Sequence, residues 1–434
     1  MTKLFKPLFS DKAQGTLADL LTYRAQKSGP SVGIRRRCVP RPSASQETRR
    51  DKFKSVCADW QALSSAEKQA YHDDAPSGLN GFQYYLSLNA GYTLADRYQY
   101  SKTITIDSTS IDSLLSWFPL AIPLSESAGL TAADLSDIFN EVGDNYLKIA
   151  IGIGGSETQL FAEVEKWDAA NKKALLWVSR DIFEIDPDSD TTLTFYYDAA
   201  ADDNTDYINT AGYLSNLWYS NAIIAYTMAQ DPSAGESSII NSCGDMYNGT
   251  PHGSMSSDDL ISGDMGFAIE GDGTDDYIDP GLDVIGEGLT SGFSLIIKFF
   301  VDPLPSSRKI ISGAYNGQRF YFLVGSSDFR IGVGQSYGDI AHNLPSGQWV
   351  FLLVTYDGST VDLWVNGSLL DSFSADWTST TFPTPFIFGH NDDGSPMGYF
   401  NVQIEHYQIS NSPFDSAWCK AAYLSMSDNL LTWS

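Results

Sequence analysis

Glu163 and Glu165 stand two residues apart in a stretch of alternating polarity. If that stretch is extended, both side chains share a face with Cα atoms roughly 6–7 Å apart, which leaves the geometry of a glycosidase carboxylate pair open. Two acids on a solvated strand face give the same pattern far more often, and that is the expectation for this pair. Gly334-Gln-Ser336-Tyr-Gly338 matches GxSxG in letters. A nucleophile elbow needs a strand before the serine and a helix after it, whereas Asp339-Ile-Ala-His-Asn follows, inside a run of short strands. The five histidines, His72, His252, His342, His390 and His406, form no HExxH or i,i+4 pair for zinc. The chain carries no phosphate loop or dinucleotide motif. The expectation is a protein that is not an enzyme, with no catalytic residue.

The elements that would position such residues are mostly β. The 434 residues include 23 Tyr, 23 Phe, 10 Trp and 36 Gly, which favours strands and tight turns. Asp outnumbers Glu 42 to 12, and Asp prefers caps and turns to helix interiors. The length suits two to four domains. Charge is strongly segregated. The first 54 residues hold 13 of the 27 Lys and Arg against four carboxylates, a net of +9. The other 14 basic and 50 acidic residues give the rest −36. Like charge this dense repels itself unless a partner absorbs it. The first ten residues hold no apolar run of a secretory signal, and no window approaches 18 uncharged apolar residues, so neither export nor membrane insertion is expected. Cys38, Cys57, Cys243 and Cys419 are scattered, which suggests structural thiols in a chain made in a reducing cytoplasm.

Residues 1–43, with Ser28-Gly29-Pro30, Arg35-Arg36-Arg37 and Val39-Pro40-Arg41-Pro42, suggest an extended basic arm rather than a packed element. A small helical module over 44–92 follows. Phe53, Val56, Cys57 and Trp60 share a helical face, and Ser64-Ser-Ala-Glu67 offers a capping box. The second helix should stop by Pro76-Ser77-Gly78, and a third, with Phe82, Tyr85 and Leu86 inward, should run up to Gly91. The pattern Phe53…Trp60-Gln-Ala-Leu63-Ser…Glu67-Lys68…Tyr71…Asn80-Gly81-Phe82…Tyr85-Leu86…Asn89, behind a basic arm with Gln46…Arg49-Arg50, resembles a module near the N-terminus of many bacteriophage and prophage structural proteins. It also looks like part of a high-mobility-group box, but Asp59, Glu67, Asp73 and Asp74 interrupt the basic helices that DNA would require.

A β-sandwich is expected over 101–200, and an irregular linker over 201–262 with one apolar strand at Ala222–Met228. Ile104-Thr-Ile106, Trp117-Phe-Pro119, Glu163-Val-Glu165-Lys-Trp167, Leu176-Trp-Val178 and Leu193-Thr-Phe-Tyr-Tyr197 resemble an uncharacterised β-sandwich family that often precedes a laminin-G-like domain. Residues 263–434 should form that domain. Phe293-Ser-Leu-Ile-Ile-Lys298, Gly347-Gln-Trp349 through Tyr356-Asp357-Gly358, Trp364-Val-Asn366-Gly367, Phe388-Gly389 and Tyr399…Ile409 resemble a laminin-G-like or concanavalin-A-like lectin jelly roll. The resemblance implies binding of carbohydrate or protein surfaces, often with a loop-bound Ca²⁺. Asp272, Asp275 and Asp276, with Asn391, Asp392 and Asp393 on another loop, could supply the converging oxygens, although turn formation explains them as well. Tyr315, Tyr337 and Trp377 could stack on sugar rings as exposed loop aromatics.

The expected protein is mainly β, a short α-helical N-terminal module followed by two sandwiches. Its expected role is that of a tailed-bacteriophage virion protein, made in the host cytoplasm. Arg35, Arg36, Arg37, Arg41, Arg49 and Arg50 would grip other virion proteins of the capsid, neck or tail, and the lectin-like domain would meet a host-surface glycan. A homo-oligomer is expected. A decoration or fibre protein without receptor binding, or a cell-surface adhesin, are the alternatives.

Overall fold

A computed structural model describes residues 15–17, 21–26, 29–34, 44–73, 80–83, 85, and 93–434 apart from 155–157, 210–213, 220, 245, 379–380 and 393–394. The chain divides into two compact units, Met1–Gly91 and Tyr92–Ser434. No described helix is long and apolar enough to cross a membrane.

The segment expected to be an extended arm contains an antiparallel meander of Gly15–Leu17, Leu21–Gln26 and Gly29–Ile34, with Gln26 opposite Gly29. This corrects the expectation. Leu, Thr, Tyr, Val and Ile at these positions suit a pleated surface, and Pro30 occupies an edge strand, where a missing N–H is tolerated. Arg35, Arg36, Arg37 and Arg41 lie outside the described residues, while Arg49 and Arg50 lie in helix α1, Ala44–Ala62. Helix α2, Ser65–Asp73, starts at the expected capping box. The Ser64 N–H donates to Glu67 Oε2 at 2.7 Å and the Glu67 N–H donates to Ser64 Oγ at 3.3 Å. Trp60 is the hub of this unit, with ring centroids 6.0 Å from Tyr71, 5.4 Å from Phe82 and 5.2 Å from Tyr85. Residues 81–83 and 85 are helical, and the remainder of the expected third helix lies outside the described residues.

The second unit contains a jelly roll of two large antiparallel-rich sheets. Among the described residues, the eight-stranded sheet runs in the order Leu260–Ser262, Phe267–Asp272, Asn401–Ser410, Phe293–Phe300, Trp349–Tyr356, Thr360–Val365, Ser368–Ser374, and Ala222–Tyr226 also pairs with Asn401–Ser410. The residues expected as an irregular linker therefore supply strands, at Ala222–Tyr226, Thr250–His252 and Leu260–Ser262. The nine-stranded sheet is built on Lys309–Tyr315, Arg319–Val324, Asp328–Gly334 and Ser336–Ala341. Asn366 (φ 47°) and Gly367 (φ 74°) make the tight hairpin between Val365 and Ser368 that their types predict.

Both faces of the eight-stranded sheet are covered, which is why its central strands read as continuous apolar runs. Phe293, Leu295, Ile297 and Phe299, with Val350, Leu352 and Val354, pack into the jelly-roll core. Ile296, Phe351 and Leu353 point the other way, into a core shared with the smaller sandwich at the start of the unit. That sandwich pairs Tyr100–Ile106, Thr191–Tyr197 and Ile149–Ile153 in one sheet and Leu120–Leu124, Lys173–Ser179 and Phe161–Asp168 in another. The chain's last strand returns to complete it, with Leu431 opposite Ile106 and Trp433 opposite Ile104. Helix Ser416–Ser425, capped by Asp415, buries Ala417, Cys419, Ala421 and Ala422 in the shared core.

Charged side chains meet at this junction, with Lys166, Lys298 and Glu405 buried. Lys298 Nζ lies 2.7 Å from Glu405 Oε2 and 2.8 Å from Asp264 Oδ2, and donates to the Met426 carbonyl at 2.7 Å. The Met265 and Gly266 N–H groups both donate to Glu405 Oε1 at 2.7 Å. Lys166 Nζ donates to the Gly266 carbonyl at 3.0 Å. A Cβ on Gly266 would fall 1.8 Å from Glu165 Oε1, so the loop approaches this closely only with glycine there. Replacing Lys298 by Met should destabilise the unit by about 3–5 kcal/mol, because it strands a buried carboxylate. Adding Glu405→Gln should recover most of that loss, since an amide oxygen still accepts the two loop N–H groups. Urea unfolding of both variants measures this, and a Lys298→Met loss no larger than that of a surface substitution would refute the role.

Candidate functional site

With one sheet covered twice, the jelly roll offers the outer face of its nine-stranded sheet. Strand alternation builds that face. Phe320, Phe322, Val324, Phe329, Ile331 and Val333 point into the core, so Arg319, Tyr321, Leu323, Asp328 and Arg330 point outward. Register then places Tyr321 opposite Gly332, Gly332 opposite Tyr337, and Arg330 opposite Asp339.

The result is a strip of rings and guanidinium groups. Tyr337 is 50% exposed, with the Arg330 guanidinium 4.6 Å and the Arg319 guanidinium 5.4 Å from its ring centroid. Arg319 also lies 5.9 Å from the Tyr315 ring, which is half-buried. Arg330 Nε and Nη2 donate to the two Asp339 oxygens at 2.6 Å each. Arg308 Nε donates to Asp328 at 3.1 Å, and its Nη2 pairs with Asp328 and lies 3.1 Å from Asp339. Hydrogen bonding by Arg330 holds the Asp339 carboxyl below its ordinary range against the opposing effect of burial. Arg319 Nη1 donates to the Gln335 carbonyl at 2.7 Å, and among the described residues no carboxylate pairs with it.

Tyr315 and Tyr337 thus fall on one surface, though on strands and not loops. Trp377 does not join them. It is only 6% exposed, packed against Phe320 at 5.7 Å and Phe382 at 5.3 Å, because the largest apolar ring of its segment closes the end of the core. Arg319 and Arg330 were not singled out from sequence. Their placement in Arg-Phe-Tyr-Phe and Asp-Phe-Arg-Ile, opposite in phase to the phenylalanines, is the signal that could have found them.

Asp272, Asp275 and Asp276 come together at the turn leaving Phe267–Asp272, with ligand oxygens all within 4.8 Å of one another. Much of this set serves the turn itself. Asp272 Oδ1 accepts from the Thr274 N–H at 2.7 Å, and buried Asp276 accepts from the Asp272 N–H at 3.0 Å and the Ser254 N–H at 3.0 Å. Burial pushes the Asp276 carboxyl up; at Asp272 burial acts the same way but the turn N–H groups outweigh it and hold the carboxyl down. The triad could take a hard cation such as Ca²⁺. Asn391 and Asp392 were expected on a loop, yet His390–Asp392 is a strand running parallel to Lys309–Tyr315 with Asp392 opposite Tyr315. Their side chains, and Asp393, lie outside the described residues.

The solvated strand face expected for Glu163 and Glu165 is overturned. Both are over nine-tenths buried, at 8% and 9% exposure. Glu165 is the extra residue of a β-bulge between Val164 and Lys166, so spacing no longer fixes its direction. Its oxygens accept from Trp177 Nε1 at 2.8 Å and the Phe267 N–H at 3.1 Å. Glu163 accepts from Ser242 Oγ at 2.6 Å and Trp218 Nε1 at 3.3 Å. Burial raises both carboxyls, and at Glu165 the Glu405 charge adds to it. His406, stacked on Trp177 at 4.9 Å, is lowered by burial to about 4 and is neutral above that. These groups lie between the two sandwiches and bind them together.

Residues 272–418 match the family model for the concanavalin A-like lectin/glucanases superfamily. The C-terminal half of the chain carries a concanavalin A-like lectin/laminin G domain. No curated protein matches the chain. Similar solved structures include domain 4 of a GH43 extracellular arabinanase from Geobacillus stearothermophilus in complex with arabinotriose. It is 19% identical with TM-score 0.35, over 46% of this chain and 97% of that one. The receptor-binding domain of a botulinum neurotoxin C/D mosaic is 11% identical with TM-score 0.36, over 47% of this chain and 51% of that one. A Trypanosoma rangeli sialidase is 11% identical with TM-score 0.36, over 48% of this chain and 33% of that one. The chain thus spans about half of the toxin domain and a third of the sialidase.

Glu163 gives a signed pH dependence. Because its folded carboxyl is raised, the stability tied to its protonated form is complete below the unfolded value and fades as pH rises through the folded one. In Glu163→Gln the amide oxygen accepts from Trp218 and the Ser242 hydroxyl reverses to accept. The variant should therefore match the parent in acid and exceed it in melting temperature at neutral pH and above. A melting-temperature difference that stays constant across pH 4–8 would contradict this.

Proposed function

We propose that this chain is a structural protein of a tailed-bacteriophage particle, anchored by its N-terminal unit to capsid, neck or tail proteins and presenting the lectin domain to a carbohydrate on the host surface. The observation that carries the binding half is the Tyr315–Arg319–Tyr337–Arg330 strip on the open sheet face of a concanavalin A-like domain. Rings beside fixed hydrogen-bond donors suit a sugar, whose ring offers an apolar C–H face and polar edges. The anchoring half is supported by the +9 charge of the first 54 residues against −36 elsewhere, and by the likeness of the Trp60-centred module to those of phage structural proteins. The protein acts by binding and not by catalysis, and its site of action is the virion. It assembles as a homo-oligomer, for which the outermost strand Ser368–Ser374, exposing Leu369 and Leu370, offers an edge unpaired among the described residues.

In the same reading Asp272, Asp275 and Asp276 hold Ca²⁺ weakly, in the range of about 10⁻⁴–10⁻³ M seen for extracellular modules, with water completing the shell. Millimolar Ca²⁺ should raise the melting temperature relative to EDTA, and Asp275→Ala should remove the rise. No response in the parent protein would leave the triad a turn former. For the anchoring role, deletion of residues 1–54 should abolish incorporation into particles while the Tyr92–Ser434 unit still melts cooperatively. Electron microscopy and gel analysis of purified particles measure it, and normal incorporation of the deletion would sink the role. Full-length protein that incorporates but binds no host glycan would instead be a decoration or fibre protein.

A further inference from the structure

We infer that the glycan is acidic: the strip on the nine-stranded sheet is a site for a carboxylate-bearing pyranose, with Tyr337 stacking on the sugar ring and Arg319 pairing with its carboxylate. This rests on the carbohydrate reading above and specifies the ligand's chemistry. Three guanidinium groups occupy this face, Arg308, Arg319 and Arg330, in a region of the sequence where basic residues are outnumbered 50 to 14. Two are already matched. Asp339 takes Arg330 in a two-point pairing and Asp328 takes Arg308, with Asp339 bridging both. The third, Arg319, is held in place by the Gln335 carbonyl and by its position between the Tyr315 and Tyr337 rings, and among the described residues it has no carboxylate.

A guanidinium fixed on its rings and, among the described residues, without a carboxylate is a preorganised receptor for a planar carboxylate. The ring next to it is the most exposed aromatic of the strip, at 50%. Gly332 sits directly between Tyr321 and Tyr337 in the ladder, and a Cβ there would come within 2.6 Å of the Tyr321 ring. The glycine thus lets Tyr321 lie flat across its strand toward Tyr337, keeping the floor of the strip low beside the exposed ring. Charge complementarity selects the occupant. A neutral sugar would use Tyr337 and leave the Arg319 charge unanswered, whereas a uronic or other carboxyl sugar satisfies both.

The test uses the full chain and a panel of acidic oligosaccharides (sialyllactose and hexuronate oligomers), each beside its carboxyl-reduced counterpart, by titration calorimetry. At least one acidic member should bind about tenfold or more tightly than its reduced form, and Arg319→Gln should erase that difference. Arg319→Lys should restore only part of it, because the two-point geometry is lost. Equal binding of acidic and reduced forms by the parent protein would overturn the proposal while leaving the carbohydrate reading intact. Absence of binding to every sugar, acidic or neutral, would overturn both. The comparison within the parent protein decides the matter even if a variant fails to fold.

Discussion

The structure depends on satisfying charge in the seam between its two sandwiches. Glu165, Lys166, Lys298 and Glu405 are all at least nine-tenths buried, and each would be costly there alone. The loop Gly263-Asp-Met-Gly-Phe267 resolves this by threading its backbone among them, giving N–H groups to both glutamates and a carbonyl to Lys166. A seam of this kind contributes little net stability compared with an apolar one of the same shape, since desolvation offsets most of the Coulomb attraction. Its consequence is specificity. Only one docking of the sandwiches brings four charges and five loop residues into register.

Two bulges make the register possible. Glu165 is the extra residue of one, and Glu405 falls at the other, where Lys298 pairs with His406 and Phe299 with Ile404. In a regular strand Glu405 and His406 would point to opposite faces. The bulge lets both leave the jelly-roll core to Ile404 and Tyr407 and turn toward the smaller sandwich. Covering that face is what leaves the nine-stranded sheet as the jelly roll's open one. The location of the candidate glycan surface is therefore settled by residues on the far side of the domain that never touch it.

Much of the architecture is legible in the residues, because it follows from local periodicity and turn chemistry. Ser64 and Glu67 cap as their spacing requires, Asn366-Gly367 turns as its type demands, and Ala222–Tyr226 is a strand because it is a short apolar run between turn residues. What escaped reading is non-local. A bulge leaves no periodic trace, so Glu163 and Glu165 looked like a solvated pair. The return of Leu431–Trp433 to the first sandwich joins residues more than 300 apart, beyond any pattern in a window. The surface strip was half visible, through Tyr315 and Tyr337, but its arginines were hidden in ordinary strand alternation. Trp377 failed because a loop aromatic is exposed or buried according to whether the core beneath it is already closed, and this one closes it.

The acidic body and the proposed acidic ligand are compatible because they act at different ranges. A net charge of −27 repels an anionic surface at a distance, but at physiological salt that field decays over about 8 Å. Within that distance the ligand meets local charge, and among the described residues the strip sets three guanidiniums against two carboxylates. Long-range repulsion slows the approach and leaves the contact itself favourable, so binding strength lies in the lifetime of the contact and not in its formation. Several copies of such a surface attached to a dense array of sugars would hold it more tightly than one copy holds a single sugar. That is the behaviour that repetition in an assembly supplies: each further contact is made at the high effective concentration set by the ones already formed. The proposed homo-oligomer and virion would supply that repetition, each copy adding its contact to those already made.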